Sequence, residues 1–385
     1  MRNVKKIGPS SILMPFLRFL RHTTGGSAGI LLVMNGDIMG ASGILSNTLL
    51  YPMEALRKPS NHWRYAYLAS FCLSVNIFVN YLAPPAFMAD DRSMADDVPI
   101  ASKTAYLIGG FLVGLGTKLG NGCTTGHGIC GIARFSKRSI LATCTFTGVS
   151  MLTTYITSPL RSWAAATNFL RASALPNMSP ISSGLVMAAS VFAAMVTPAL
   201  SSKNRAEMIK KHGTSIVATE DRKVLGASIS GAMFAAGLAI SGMAKTTKVH
   251  DFLCLSGFSN GTYDPTLITV MGSGILSSWL AYQFVDGWSL TMPKQKTLSC
   301  PAGLGEGACF SVPTNKTIDL QLLAGAATFG AGWGLTGICP GPAIFASASG
   351  NLNATLFWVP AFLLGSWIGI KAKEILFAPK KTKSV

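Results

Sequence analysis

The sequence predicts an all-α polytopic membrane protein with about nine hydrophobic passes. Three observations predict this fold class: 12% of the 385 residues are charged, 49% are hydrophobic, and the mean hydropathy is +0.42. Soluble domains carry about 25% charged residues, so a water-soluble protein of this length could not cover its surface with so few charges. The same hydrophobicity excludes a disordered or fibrous chain.

Uncharged stretches long enough to cross a membrane lie along the whole chain. A spanning helix needs about 20 mostly apolar residues. The stretches that meet this requirement are 65–88, 139–160, 181–202, 224–244 and 265–285. Residues 320–370 are also uncharged, and their length predicts two passes joined inside the membrane.

Three further hydrophobic segments are interrupted by glycine, at 27–52, 104–133 and 236–263. Irregular backbone at membrane depth is tolerated only where protein or a water-filled cavity satisfies its polar groups. Paired interrupted segments of this kind are typical of transport sites. We therefore expect glycine-broken half-helices in both halves of the chain.

The charges divide the chain into five parts. These are a basic amino-terminal tail (1–26), a first transmembrane repeat (27–160), a connecting span with a basic linker (161–223), a second transmembrane repeat (224–371) and a basic tail (372–385). The net charge of +17 collects in the tails and the linker. The positive-inside rule favours the cytoplasmic side for these parts. Nucleic-acid binding explains the excess of positive charge less well. A cytoplasmic basic flank of this kind favours the plasma membrane. The amino terminus contains no acidic residue, however, and if it is a mitochondrial presequence the protein belongs to the mitochondrial inner membrane.

A shift of 216 residues brings two glycine-rich segments into register. Leu107, Gly109, Gly114, Gly116, Leu119 and Cys123 then coincide with Leu323, Gly325, Gly330, Gly332, Leu335 and Cys339. Each segment is an apolar helix followed by a glycine-rich turn and one cysteine. The cysteine match at the same phase predicts an internal repeat, because glycine matches alone are common in a chain with 40 glycines.

The two cysteine motifs have the composition of an anion path. Glycine lets the backbone approach a ligand, a helix that begins after such a turn points its free N–H groups at an anion, and a thiol adds a weak donor. Cys123 and Cys339 are the central candidates, although buried cysteines often serve only in packing. The other candidate residues of the path are Lys118, Asn121, Gly122, Gly126, His127, Cys130, Gly337, Pro340 and Gly341.

These motifs resemble those of the YeeE/YedE sulphur-transport family. The resemblance rests on Asn121–Gly131 and Trp333–Pro342, with weaker matches at Asn35–Ile44 and Ser241–Lys245. It implies uptake of thiosulfate or a related anion through a central constriction in which the thiols of Cys123 and Cys339 pass the anion along. The chain departs from the family's thiosulfate transporters because its Asn35–Ile44 stretch has no cysteine.

Other charged and sulfur-containing residues allow two interpretations each. Cys300 and Cys309 lie in the hydrophilic 289–318 loop and can form a disulfide if that loop faces an oxidising compartment. His127 is either a proton-coupled group or a structural histidine. Lys118 either attracts an anion or extends to the membrane interface, and Asp37 can brace a half-helix.

The sequence contains no motif for catalysis, nucleotide binding or metal binding. It has no nucleophile–base arrangement, Walker loop, H-E-x-x-H or dinucleotide fingerprint, so we expect no enzyme activity and no cofactor or metal. Two alternatives to a permease stay open. One is a membrane thiol-redox component that transfers persulfide sulfur to a cytosolic sulfur-accepting protein, and the other is a channel for another inorganic anion.

Overall fold

The computed structural model describes residues 23–53, 61–82, 103–167, 214–291, 297–302, 304 and 309–376. Within these residues the protein is mostly helical and contains no β-strand. The predicted pass at 181–202, the basic linker and both tails lie largely or wholly outside the described residues. The all-α prediction is confirmed for the described part of the chain.

Each half of the chain is a series of α-helices interrupted by short π-helices. In the first half they are α1 (Thr23–Ile30), π1 (Leu31–Asn35), α2 (Ala41–Leu50), α3 (His62–Ile77), π2 (Phe78–Leu82), α4 (Lys103–Leu119), π3 (Thr124–Gly131) and α5 (Lys137–Thr167). In the second half they are α6 (Thr214–Ser241), α7 (Thr246–Leu253), α8 (Gly257–Asn260), α9 (Thr266–Gln283), α10 (Leu320–Thr336), α11 (Pro340–Ala348), π4 (Ala354–Trp358) and α12 (Val359–Leu376).

Four segments among the described residues are long and apolar enough to cross a membrane. They are Lys137–Ser158, Asp221–Ser241, Leu320–Ala348 and Ala354–Ile375. The last two account for the uncharged stretch 320–370, for which the sequence predicts two passes. The total of about nine passes stays a prediction.

The three glycine-interrupted segments break where the sequence predicts. Each break contains a residue with left-handed backbone, namely Gly36 (φ 74°), Asn121 (φ 59°) and Gly242 (φ 69°). A short helix follows each break: α2, π3 and α7 respectively. These segments are therefore half-helices that begin inside the protein.

Eight of the described helices pack as two rows of four. In one row the order is α5, α10, α4, α12, and in the other it is α9, α1, α6, α3. The two middle helices of each row come from different halves of the chain. The contacts between the halves are therefore the most central ones in both rows.

Helices of the first row approach through glycine. A Cβ on Gly116 of α4 would clash with the backbone of Phe329 on α10, and a Cβ on Gly332 of α10 would lie 2.9 Å from the backbone nitrogen of Val113 on α4. Small residues let helix backbones approach this closely in membranes. Residues 116 and 332 differ by 216, as do residues 113 and 329, so the same shift relates the two contacts.

The same correspondence holds for two hydroxyl hydrogen bonds. Ser150 Oγ on α5 donates to the carbonyl of Gly330 at 2.8 Å, and Ser366 Oγ on α12 donates to the carbonyl of Gly114 at 3.4 Å. Residues 150 and 366 differ by 216, as do residues 114 and 330. The outer helices α5 and α12 therefore contact the central pair in equivalent ways.

Candidate functional site

Both motif cysteines are the N-cap residues of half-helices. Cys123 precedes π3 and Cys339 precedes α11, each with extended backbone. Two residues before each cysteine the backbone is left-handed, at Asn121 (φ 59°) and at Gly337 (φ 68°). Asparagine and glycine are the residues that tolerate this conformation best. The turn chemistry therefore places both cysteines in the same local geometry.

Two neighbouring threonine side chains each contact the thiol of one motif. Thr124 Oγ1 donates to Cys339 Sγ at 3.4 Å, while Cys123 Sγ lies 3.1 Å from Thr125 Oγ1. The backbone N–H of Ala41, at the start of α2, also donates to Thr125 Oγ1 at 3.1 Å. Three half-helix starts thus meet at Cys123, Thr124 and Thr125.

On one side of this meeting point lies a cavity of about 450 Å³, which we call the basic cavity. Among the described residues that line it, three are cationic and none is acidic. Its lining residues are Ile38, Gly40, Ser42, Gly43, Thr117, Lys118, Asn121, Gly122, Gly126, His127, Arg134, Arg138, Ser139, Pro313 and Asn315.

The arginines of the basic cavity are held by the segment that precedes α10. Arg134 donates to the carbonyl of Pro313, and Arg138 donates to the carbonyl of Thr317. Arg138 also lies 3.6 Å from the carboxylate of Asp319. The Nε atom of Arg134 is buried and has no hydrogen-bond partner among the described residues.

Sequence reasoning found Lys118 but missed Arg134 and Arg138. Lys118 Nζ donates to Asn47 Oδ1 on α2 at 3.1 Å. A signal for the arginines was present: they directly follow the first cysteine motif, in a stretch without Asp or Glu from residue 98 to residue 206. That stretch is where an unpaired positive charge would be expected.

On the other side lies a cavity of about 60 Å³, which we call the thiol cavity. Its wall is almost entirely apolar, and the lining residues that carry a polar group are three threonines, one cysteine and one tryptophan. Its lining residues are Thr24, Thr124, Thr125, Ile129, Phe234, Leu238, Met243, Val249, Leu267, Val270, Met271, Trp333, Cys339 and Pro342.

The first turn of π3 separates the two cavities. Gly126 and His127 line the basic cavity, whereas Thr124 and Thr125 line the thiol cavity. Cys123 stands between the two sets and is 1% exposed. It lines neither cavity, and its neighbours along π3 line one cavity or the other.

His127 braces the turn that precedes Cys123. Its Nε2 lies 3.1 Å from the carbonyl oxygen of Gly120, and its Nδ1 lies 3.0 Å from Ser139 Oγ. Because a carbonyl only accepts, Nε2 carries the proton, and Nδ1 of the neutral ring accepts from the serine hydroxyl. A Cβ on Gly122 would lie 2.5 Å from the imidazole. Of the two interpretations of His127, this geometry favours the structural one.

Other candidates from the sequence are buried in packing and line neither cavity. Cys130 Sγ donates to the carbonyl of Met39 at 3.7 Å. A Cβ on Gly337 would clash with His250, and a Cβ on Gly341 would lie 3.1 Å from the ring of Phe234. Pro340 is the buried first residue of α11. These residues contribute to the packing of the two motifs and line neither cavity.

Cys300, Cys309 and Asp37 lie outside the two cysteine motifs. Cys300 and Cys309 are both free cysteines, so the disulfide expected from the sequence is not formed in this structure. Asp37 forms an isolated β-bridge with Ser311, which attaches the segment before α10 to the turn at Gly36. The backbone of residue 37 therefore holds the break between π1 and α2, while the role of the Asp37 carboxylate stays a prediction.

Met39 stands just before α2, in the stretch where the family's thiosulfate transporters have a cysteine. It is fully buried, and its Sδ accepts from Ser27 Oγ at 3.4 Å and from Tyr67 OH at 3.6 Å. A thioether accepts hydrogen bonds but donates none. This position therefore cannot offer an S–H group to an anion.

Comparisons with known proteins point to transport. Residues 97–152 match a family model described as sulphur transport, and residues 222–375 match a family of unknown function. One probable transporter of Xylella fastidiosa is 40% identical over 136 residues, which are 35% of this chain and 80% of the relative. A second from that organism is 38% identical over 122 residues, which are 32% of this chain and 78% of the relative.

Each of these relatives is less than half as long as this chain. The apolar helices and the similarity together define an integral membrane transporter. The chain belongs to the YeeE/YedE-type sulphur-transport family.

Proposed function

We propose that this transporter carries thiosulfate or a related small sulfur-containing anion between the basic cavity and the thiol cavity, past Cys123 and Cys339. The observation that carries the proposal is the hydrogen-bonded turn Cys123–Thr125. It stands between a large cationic space and a small apolar one, and it contacts both motif thiols.

The basic cavity suits a hydrated anion. Its volume of about 450 Å³ equals that of roughly fifteen water molecules at about 30 Å³ each. Lys118, Arg134 and Arg138 raise the local concentration of anions, because cationic groups in a cleft focus the electrostatic field. The anion can therefore enter with much of its hydration shell intact.

The thiol cavity suits the same anion after it has lost most of its water. Its volume of about 60 Å³ equals that of roughly two water molecules. Transfer of an ion out of water costs several kcal/mol unless protein donors replace the hydration shell. Thiosulfate carries charge on a large, polarisable sulfur that is less strongly hydrated than a sulfate oxygen. The apolar wall and the Cys339 thiol therefore favour thiosulfate over sulfate.

We further propose that the two halves are repeats related by an approximate two-fold axis. The helix rows are α5–α10–α4–α12 and α9–α1–α6–α3. If each helix is exchanged for its counterpart in the other half, each row becomes the same row in reverse order, as a two-fold axis requires. The glycine contacts and serine hydrogen bonds between the halves also occur in pairs offset by 216 residues. A site between repeated halves with broken helices is the arrangement of many transporters.

The burial of Cys123 argues against the persulfide alternative. A sulfur carrier must expose its thiol to the acceptor protein, and Cys123 is 1% exposed. A permease needs no such exposure, because the anion comes to the thiol. The proposed setting is the plasma membrane, with the basic linker on its cytoplasmic side. A channel for another anion would share this fold and differ in selectivity alone.

The proposal is tested by uptake of radiolabelled thiosulfate into liposomes that contain the purified protein. Cys123→Ala and Cys339→Ala should each lower the uptake rate at least about tenfold, since either change removes a donor from the constriction. Cys144→Ala is the matched control, because Cys144 is exposed on α5. Uptake by both motif variants at the rate of the control would contradict the thiol mechanism.

A further inference from the structure

The second cysteine half-helix has fewer N–H donors at its start than a helix normally has. A helix begins with four N–H groups that lack an internal partner, and these groups form anion sites. In α11 the first and third residues are Pro340 and Pro342, and proline has no N–H. Of the first three positions, only Gly341 can donate. An anion beside Cys339 therefore needs a donor from elsewhere.

Trp333 lies beside this helix start and has an unused donor. It is 2% exposed, and it lines the thiol cavity together with Cys339. Its Nε1 atom is buried and has no hydrogen-bond partner among the described residues. More than about 90% of buried polar groups in proteins are hydrogen-bonded, so an unpartnered indole N–H in a residue that lines a cavity needs a reason.

The surrounding rings hold the indole in place. Trp333 and Phe146 pack edge to face, with ring centroids 5.9 Å apart and planes at 75°. The ring centroid of Trp333 also lies 6.2 Å from that of Phe329. A phenylalanine at position 333 could keep these aromatic contacts without burying an unpaired donor. The polar atom therefore has a cost in this structure and no use within it.

We infer that the Nε1–H group of Trp333 donates a hydrogen bond to the anion in the thiol cavity and supplies the donor that Pro340 and Pro342 cannot. This inference rests on the proposed transport function and concerns the same path. Trp333 then discriminates among substrates, since a bound anion completes its hydrogen bonding and a neutral solute without an acceptor does not.

Trp333→Phe tests the inference because it removes the N–H and retains an aromatic ring. Trp358→Phe is the matched control: Trp358 is 0% exposed, its Nε1 also has no partner, and its ring stacks on Phe362 at 5.2 Å. Trp358 lines neither the basic cavity nor the thiol cavity. The two substitutions therefore make the same chemical change inside and outside the proposed site.

Thiosulfate affinity is measured by calorimetry on the purified proteins in detergent, and uptake is measured in liposomes. We expect Trp333→Phe to weaken binding about tenfold or more, the effect of one hydrogen bond to a charged group, and to raise the KM for uptake. We expect Trp358→Phe to bind as the wild type does. Thiosulfate should also change the tryptophan fluorescence of the wild type and Trp358→Phe more than that of Trp333→Phe.

Equal affinities of the two variants, with wild-type uptake intact, would overturn this inference and leave the proposed function standing. Weak binding by Trp333→Phe together with normal uptake by Cys339→Ala would support the indole donor and contradict the thiol mechanism. A wild-type protein that neither binds nor transports thiosulfate would overturn both. If Trp333→Phe is not monodisperse in detergent, the inference is tested by the change in tryptophan fluorescence of Trp358→Phe on addition of thiosulfate. The absence of that change overturns the inference.

Discussion

Replacing Gly330 by alanine should separate two helices that now touch through their backbones. A Cβ at this position on α10 would lie 2.5 Å from the carbonyl oxygen of Phe146 and 3.0 Å from Cβ of Val149, both on α5. Neither the backbone nor a β-branched side chain on a helix can yield easily, so the helices must shift. The hydrogen bond from Ser150 Oγ to the carbonyl of Gly330, 2.8 Å long, would be strained by the same movement.

The magnitude follows from two opposing effects. Insertion of one extra carbon into a packed interface costs about 1–3 kcal/mol, whereas replacement of glycine by alanine within a helix contributes up to about 1 kcal/mol of stability. Gly148→Ala isolates the stabilising effect of alanine within a helix. Gly148 lies on α5, and a Cβ added to it would have no other atom within 4 Å. The difference between the two variants therefore measures packing alone.

The assay is the apparent melting temperature of each variant in the same detergent at one heating rate. At about 2–4 °C per kcal/mol for proteins of moderate size, Gly330→Ala should melt about 2–12 °C below Gly148→Ala. Gly114→Ala should behave as Gly330→Ala does, because its Cβ would meet the backbone of Phe362 in the equivalent contact. Equal melting temperatures for Gly330→Ala and Gly148→Ala would refute the close approach of α10 and α5.

Three further predictions concern charged groups. Arg134→Gln should raise the KM for thiosulfate uptake about tenfold at low salt and less at high salt, while the exposed Lys316→Gln should change it little; equal effects would contradict a role for the basic cavity. Asp319 caps α10, so Asp319→Ala should cost about 0.5–2 kcal/mol, measured as a lower melting temperature. Partial burial raises the pKa of Asp264, but hydrogen bonds from Thr266 and the charge of Lys248 outweigh it and leave this pKa below its usual value. Its stabilisation is therefore complete above the unfolded pKa and lost as the pH falls through the folded one, and Asp264→Asn should flatten that acid-side decline in melting temperature.

The local features of the site were predictable because they depend on neighbouring residues. Gly36, Gly242 and Asn121 mark the helix breaks through their tolerance of left-handed backbone. The 216-residue shift, found from glycines and one cysteine, recurs in the contacts between α4 and α10. Both kinds of signal are written in short stretches of sequence.

The cavities were not predictable, because their walls come from distant parts of the chain. The thiol cavity combines Thr24, Phe234 and Met271 with the two motifs, and no local pattern connects these residues. Trp333 was visible in the second motif, but only its surroundings reveal that its N–H has no partner. Likewise, the burial of Cys123 depends on how three half-helices meet.

The most direct test of the central claim is uptake of radiolabelled thiosulfate by the purified wild-type protein in liposomes, with unlabelled anions as competitors. If the basic and thiol cavities form one path selective for sulfur-containing anions, labelled thiosulfate should enter faster than in protein-free liposomes. Unlabelled thiosulfate should then compete strongly and sulfate weakly. Uptake no faster than in protein-free liposomes, or competition by sulfate as strong as that by thiosulfate, would contradict the claim.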